Sequence, residues 1–142
     1  MDKLLMDFLV HVHREEVSRV ETAVGAAVII PFDAEVESKL FTGRTLPGAA
    51  DVQITNAAGI RHMCASYMFE GKDFTGAPCR LFVRNDGFFE PGSRPELFRA
   101  CPTFLTDSET LAPLLHTACF RAEGVSEDDG LHIRVYHVIA NQ

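Results

Sequence analysis

Four polar residues fall within or beside strand-like apolar stretches of the sequence: Asp51, Tyr67, Arg84 and Asn85. A carboxylate such as Asp51 accepts protons, a phenol such as Tyr67 donates a hydrogen bond, and a guanidinium such as Arg84 holds a carboxylate or an enolate. General acid–base work needs groups of this kind within hydrogen-bond reach of one substrate. Arg84 and Asn85 are neighbours, so on a regular strand they face opposite sides and only one points inward. His62 and His116 stand behind these four as further candidate ligand-binding residues. Each has a plainer reading beside the chemical one. Asp51 could satisfy backbone groups beside the Pro47-Gly48 turn, and Asn85 could build a turn with Asp86 and Gly87.

Other chemistries are poorly supported. His11 and His13 lie two apart on one strand face, and His62, His116, His132 and His137 could add a third ligand. Yet there is no HExxH motif, no carboxylate completes a recognisable triad, and the two histidines oppose the apolar Phe8, Val10 and Val12 face. No metal and no cofactor is therefore expected. The cysteines (Cys64, Cys79, Cys101, Cys119) include no CxxC pair and read as reduced, mostly buried thiols. No GxSxG elbow occurs, and Gly43-Arg44-Thr45-Leu46-Pro47-Gly48 lacks the lysine of a phosphate-cradling loop. A net charge of −7, with 13 scattered Lys and Arg, argues against nucleic acid. The first ten residues, interrupted by Asp7, lead to no small-residue cleavage site before Arg14-Glu15-Glu16, so no signal peptide is expected. No apolar run reaches the roughly 18 residues of a membrane helix. A cytoplasmic protein with no membrane partner is the expectation.

The elements that must position these residues are strands. The 142 residues suit one domain, 1–142. Its dominant pattern is period-2 alternation broken by turn residues. Phe8, Val10 and Val12 form one strand face, and Val24 to Pro31 is a covered strand that Pro31 limits. Val52 and Ile54 share a face, with Asp51 and Gln53 on the other. Asn56 to Gly59 is a turn. Ile60 to Glu70 forms a long strand, with Met63, Ala65, Tyr67 and Phe69 on one side and His62, Cys64, Ser66 and Met68 opposite. Gly71 to Pro78 is a hairpin loop, and Cys79 to Asn85 returns from it. Gly92 to Arg99 offers one short helix; Thr103 to Thr106, Leu114 to Ala122 and Leu131 to Val138 are strands. These make an all-β, single antiparallel barrel of about eight to nine strands, lipocalin-like and up-and-down, with at most one short helix.

The segment Phe41-Thr42-Gly43-Arg44-Thr45-Leu46-Pro47-Gly48-Ala49-Ala50-Asp51 resembles an uncharacterised small-barrel family, domain of unknown function 3237 (uncharacterised protein family 0311). The likeness continues through Ala65-Ser66-Tyr67, Leu81 to Gly87, Pro102 to Thr106 and Leu131 to Val138, covering the chain from about Val24 onward. Asp51, Tyr67, Arg84 and Asn85 fall on its motif positions. Members often carry an aromatic, a tryptophan, a leucine and an asparagine where this chain has Ala112, Leu114, Leu115 and His116. The resemblance implies a barrel of antiparallel strands and no established reaction.

The reading reached is a small-molecule-binding barrel with an apolar pocket, taking a small apolar or carbonyl-bearing ligand on Asp51, His62, Tyr67, Arg84, Asn85 and His116. One alternative is a cofactor-free isomerase, cyclase or hydrolase acting on a carbonyl-bearing compound. Another is a packed barrel serving as an interaction module. Eleven phenylalanines suggest an apolar interior that most of them fill or whose ligand cavity they line, and Phe88-Phe89 is expected in a loop, over the barrel mouth or at a partner. A homodimer is the default assembly.

Overall fold

The computed structural model describes residues 2–89 and 98–139. Ten strands form one antiparallel sheet: β1 (Lys3–Val12), β2 (Ser18–Thr22), β3 (Gly25–Glu37), β4 (Phe41–Thr45), β5 (Ala50–Asn56), β6 (Arg61–Asp73), β7 (Pro78–Phe89), β8 (Phe98–Thr106), β9 (Phe120–Glu127) and β10 (Gly130–His137). One short helix, α1 (Ala112–Leu115), precedes β9. The sheet closes because β1 pairs with β10 on one side and with the second half of β3 on the other.

Ten segments make eight staves, because two staves are interrupted. The long β3 pairs first with β2 and β5, then with β1 and β4. A 3₁₀ turn at Arg14–Glu16 separates β1 from β2, and residues 46–49 separate β4 from β5. The result is a closed antiparallel barrel of eight strands with two extra ones, as the alternation predicts.

Alternation along the long strands sorts side chains cleanly. Met63, Ala65, Tyr67 and Phe69 of β6 are buried while Ser66 and Met68 are exposed; Cys79, Leu81, Val83 and Asn85 of β7 are buried while Arg80 and Arg84 are exposed. One end of the barrel is filled: Met6, Phe8, Phe41, Phe69 and Leu81 are essentially inaccessible. Among the described residues, β8 pairs with β9 over Arg99–Ala100 against Ala122–Glu123. Helix α1 follows Leu111 there, and Leu111 and Leu115, four residues apart on one helical face, are buried in the core.

Several local expectations need correction. Pro31 does not end its strand: β3 runs on to Glu37. Pro31 lies between the residues that pair with β2 and those that pair with β1, so its missing N–H costs no bond to that interrupted stave, and its carbonyl accepts from the His13 amide at 2.9 Å. Asn85-Asp86-Gly87 is strand interior. Gly87 pairs with Met63 and Ala100, and a Cβ on it would stand 2.1 Å from the Arg99 carbonyl oxygen, so glycine serves close approach there rather than a turn. Phe88 and Phe89 therefore end β7 rather than sit in a loop. The strand expected over Leu114 to Ala122 begins only at Phe120, because Leu111 and Leu115 follow a helical period. Of the helix expected over Gly92 to Arg99, residues 92–97 lie outside the described residues, while Phe98 and Arg99 belong to β8. All four cysteines are free, and only Cys79 is buried; Cys64, Cys101 and Cys119 lie on or near the outer surface, contrary to the mostly buried expectation. No helix among the described residues is long and apolar enough to cross a membrane.

Candidate functional site

At the end opposite the packed layer, the barrel encloses a cavity of about 320 Å³. Its wall is mainly apolar, from Val10, Phe32, Met63, Phe89, Leu131 and Ile133 among others. That volume sits at the small end of the roughly 300–1,000 Å³ of ligand pockets. Among the described residues, Asp51, Gln53, Tyr67, Asn85 and Ser126 are those with polar side chains that line it.

Register places these groups. From Thr45 to Asp51 the chain advances six residues while the facing β6 advances four, from Phe69 to Ala65, so the 46–49 interruption inserts an even number and the inward parity survives. Thus Asp51 and Gln53 face in and Val52 and Ile54 face out. Asp51 pairs with Ala65, and Ala65 pairs with Asn85. The carboxylate and the amide therefore flank one small residue across three strands, with Tyr67 two positions along β6.

The Tyr67 ring forms the cavity floor, packed edge-on against Phe32 at 5.2 Å and Phe69 at 5.6 Å between centroids. Burial, with the Asp51 charge adding to it, pushes the phenol far above its ordinary range, so it stays protonated as a donor. Gln53 Nε2 donates to Asp51 Oδ2 at 2.8 Å. Asp51 Oδ1 and Asn85 Oδ1 are buried without a partner. Asn85 is only 2% exposed. Burial raises the Asp51 pKa, opposed by the Gln53 hydrogen bond and by the charges of Arg61 and His62. The Arg61 guanidinium lies 3.6 Å from the centroid of the Phe89 ring.

The structure thus brings three of the six singled-out residues to one cavity: Asp51, Tyr67 and Asn85. Of the adjacent pair, Asn85 points in and Arg84 points out, where its Nε lies 3.3 Å from Asp86 Oδ2. His62 is also on the outer face, its Nε2 2.7 Å from Asp86 Oδ1 and its ring against Phe88. His116 caps α1, and its Nε2 accepts the Thr106 amide at 3.0 Å. Gln53 is a pocket residue that the sequence reading passes over, although the alternation that puts it beside Asp51 is the available signal. Phe89, expected over the barrel mouth, lines the cavity from the end of β7, while Phe88 faces outward.

Outside the barrel, Glu127, Asp129 and His132 are grouped closely enough to suggest a metal cluster. Both His132 ring nitrogens already face carboxylates there, Asp7 at 2.8 Å and Asp129 at 2.7 Å, which fits a structural network.

No protein-family model matches the chain, and no curated protein matches it. Among solved structures it is similar to a protein of unknown function from Clostridium acetobutylicum ATCC 824, at 21% identity over 98% of both chains, with a TM-score of 0.81. It is also similar to a conserved protein of unknown function from Rhodopseudomonas palustris, at 24% identity over 98% of this chain and 97% of that one, with a TM-score of 0.77. A β-barrel-like protein from Acinetobacter baumannii AYE matches at 15% identity over 96% of each chain, with a TM-score of 0.70. These likenesses establish the fold alone: the chain is an antiparallel β-barrel whose neighbours are themselves uncharacterised.

Proposed function

We propose that the protein is a small-molecule-binding barrel whose ligand lies in the cavity lined by Asp51, Tyr67 and Asn85. The observation that carries this reading is a 320 Å³ apolar cavity holding two buried side-chain oxygens with no partner. An unsatisfied buried polar atom costs roughly 1–3 kcal/mol. A ligand that supplied the missing hydrogen bonds would offset that cost, and the apolar wall would bury its body. The motif order from Phe41 to Val138 supports placing the chain in the domain of unknown function 3237 family, which carries no reaction to transfer.

Toluene titrated into labelled protein tests the cavity directly. Amide and methyl NMR shifts are expected at Met63, Leu131 and Ile133, with none at the packed Leu81. An absence of shifts at saturating toluene overturns the reading. Co-purified ligand in native mass spectra would identify the natural occupant.

A second reading concerns assembly. Val20, Ile29, Ile54 and Phe88 are exposed on the outer face of neighbouring strands. Apolar rows of this kind support association of two copies. Analytical ultracentrifugation of wild type and Ile54→Lys tests it: a dimer converted to monomer is expected, and a monomeric wild type sinks the idea.

A further inference from the structure

We infer that the cavity takes a primary ammonium group, presented by a small apolar amine, at the position over Ala65 between Asp51 and Asn85. This inference rests on the cavity-binding reading and names the chemistry of its ligand.

The two unpartnered oxygens among the described residues, Asp51 Oδ1 and Asn85 Oδ1, are both acceptors. They flank a single alanine in one cross-strand row, with Asp51 paired to Ala65 and Ala65 paired to Asn85. Adjacent strands lie about 4.8 Å apart, so one head group seated over Ala65 lies between both side chains. A hydroxyl offers one donor and satisfies one acceptor. A primary ammonium offers three and satisfies both. A ligand carboxylate offers none at neutral pH and would meet the Asp51 charge.

Charge points the same way. Among the described residues, Asp51 is the one carboxylate that lines the cavity, and no Lys or Arg lines it. A buried ammonium needs a carboxylate partner to repay its desolvation, and Asp51 supplies one. Phe32 and Tyr67 add aromatic surface of the kind that attracts a cation, and Phe89 already carries one, the Arg61 guanidinium. The charged and titratable groups acting on Asp51 are Arg61, His62 and Tyr67, all on β6. Arg61 is stacked on Phe89 rather than among the lining side chains, and His62 is held on the outer face by Asp86. Burial raises the Asp51 pKa, so its charge disappears earlier on acidification than that of a solvated aspartate. Ammonium binding should fall with it.

Four probes of one shape separate the possibilities: benzylamine, benzyl alcohol, benzoate and toluene, titrated by NMR or calorimetry into wild type and Asp51→Asn. Benzylamine is expected to bind at least tenfold tighter than benzyl alcohol or toluene near neutral pH, with benzoate weakest. That advantage should vanish in Asp51→Asn, and in wild type it should fade as Asp51 protonates. The wild-type pH series carries the test if the variant does not fold. Benzyl alcohol or benzoate binding as tightly as benzylamine overturns the ammonium assignment while leaving the cavity reading intact. So does a benzylamine advantage indifferent to both pH and Asp51→Asn. Failure of all four, toluene included, overturns both.

Discussion

Asp51 is a residue whose presence costs the fold something. Its carboxylate is partly buried, one oxygen has no partner, and burial is the largest influence on its pKa, raising it. A group with a raised native pKa binds protons more tightly folded than unfolded. Folding is then less favoured at neutral pH and gains as pH falls through the native value toward the ordinary carboxylate range. Asp51→Asn keeps the shape and removes the charge. It is expected to stabilise the protein by about 1 kcal/mol at pH 7, with the gain shrinking toward pH 4; urea denaturation at both values checks this. A variant less stable than wild type at pH 7 would mean that Asp51 serves the fold. The face that Asp51 shares with Gln53 was legible in the sequence because alternation is local. The same alternation sets Asn85 on the face of Leu81 and Val83 and Arg84 with Arg80. Asn85-Asp86-Gly87 also spells a turn, however, and that competing signal hides the strand that carries Asn85 inward.

At the scale of elements, the β9–β10 hairpin and β1 are joined by charges. His132 lies between Asp7 of β1 and Asp129 of the hairpin turn, while Arg134 reaches Asp7 and Glu127. The Asp129 and Asp7 hydrogen bonds raise the His132 pKa above its ordinary value. Stability from such a histidine is present in full below the unfolded value near 6.5 and is lost as pH rises through the higher native one. His13, raised by Asp33, contributes with the same sign. His132→Gln is therefore expected to cost more at pH 6 than at pH 8.5, read as the shift in urea midpoint at each pH. An equal cost at both values would assign His132 to packing alone. The same hairpin marks where sequence reading stops: alternation finds β9 and β10, yet the Asp7–His132 pair joins residues far apart in the chain. Helix α1 escaped for a related reason. Four helical residues and their N-cap offer one buried pair, Leu111 with Leu115, too little for a periodicity to declare itself beside strong strand signals.

Across the whole molecule, the barrel divides its interior between support and space. The end holding Met6, Phe8, Phe41, Phe69 and Leu81 is packed solid, whereas the end holding Asp51, Ala65 and Asn85 keeps a cavity. The count of alternating segments foretold closure, since eight staves close with an interior wide enough for side chains or one ligand. It could not foretell which end stays open, because that depends on side-chain volumes summed around the ring. Ala65 is the lever: small, buried, and set between the two orphaned acceptors. Ala65→Leu would grow into the cavity that Ala65 lines, so it should hold stability or raise it by about 0.5–2 kcal/mol while abolishing toluene and benzylamine binding. Leu81→Ala at the packed end should cost about 2–5 kcal/mol and leave cavity binding intact wherever the variant remains folded. Denaturation midpoints and ligand titrations on the two variants read both axes together. If Ala65→Leu binds normally, the ligand does not lie over Ala65. If Leu81→Ala loses binding while still folded, the two ends of the barrel are not independent.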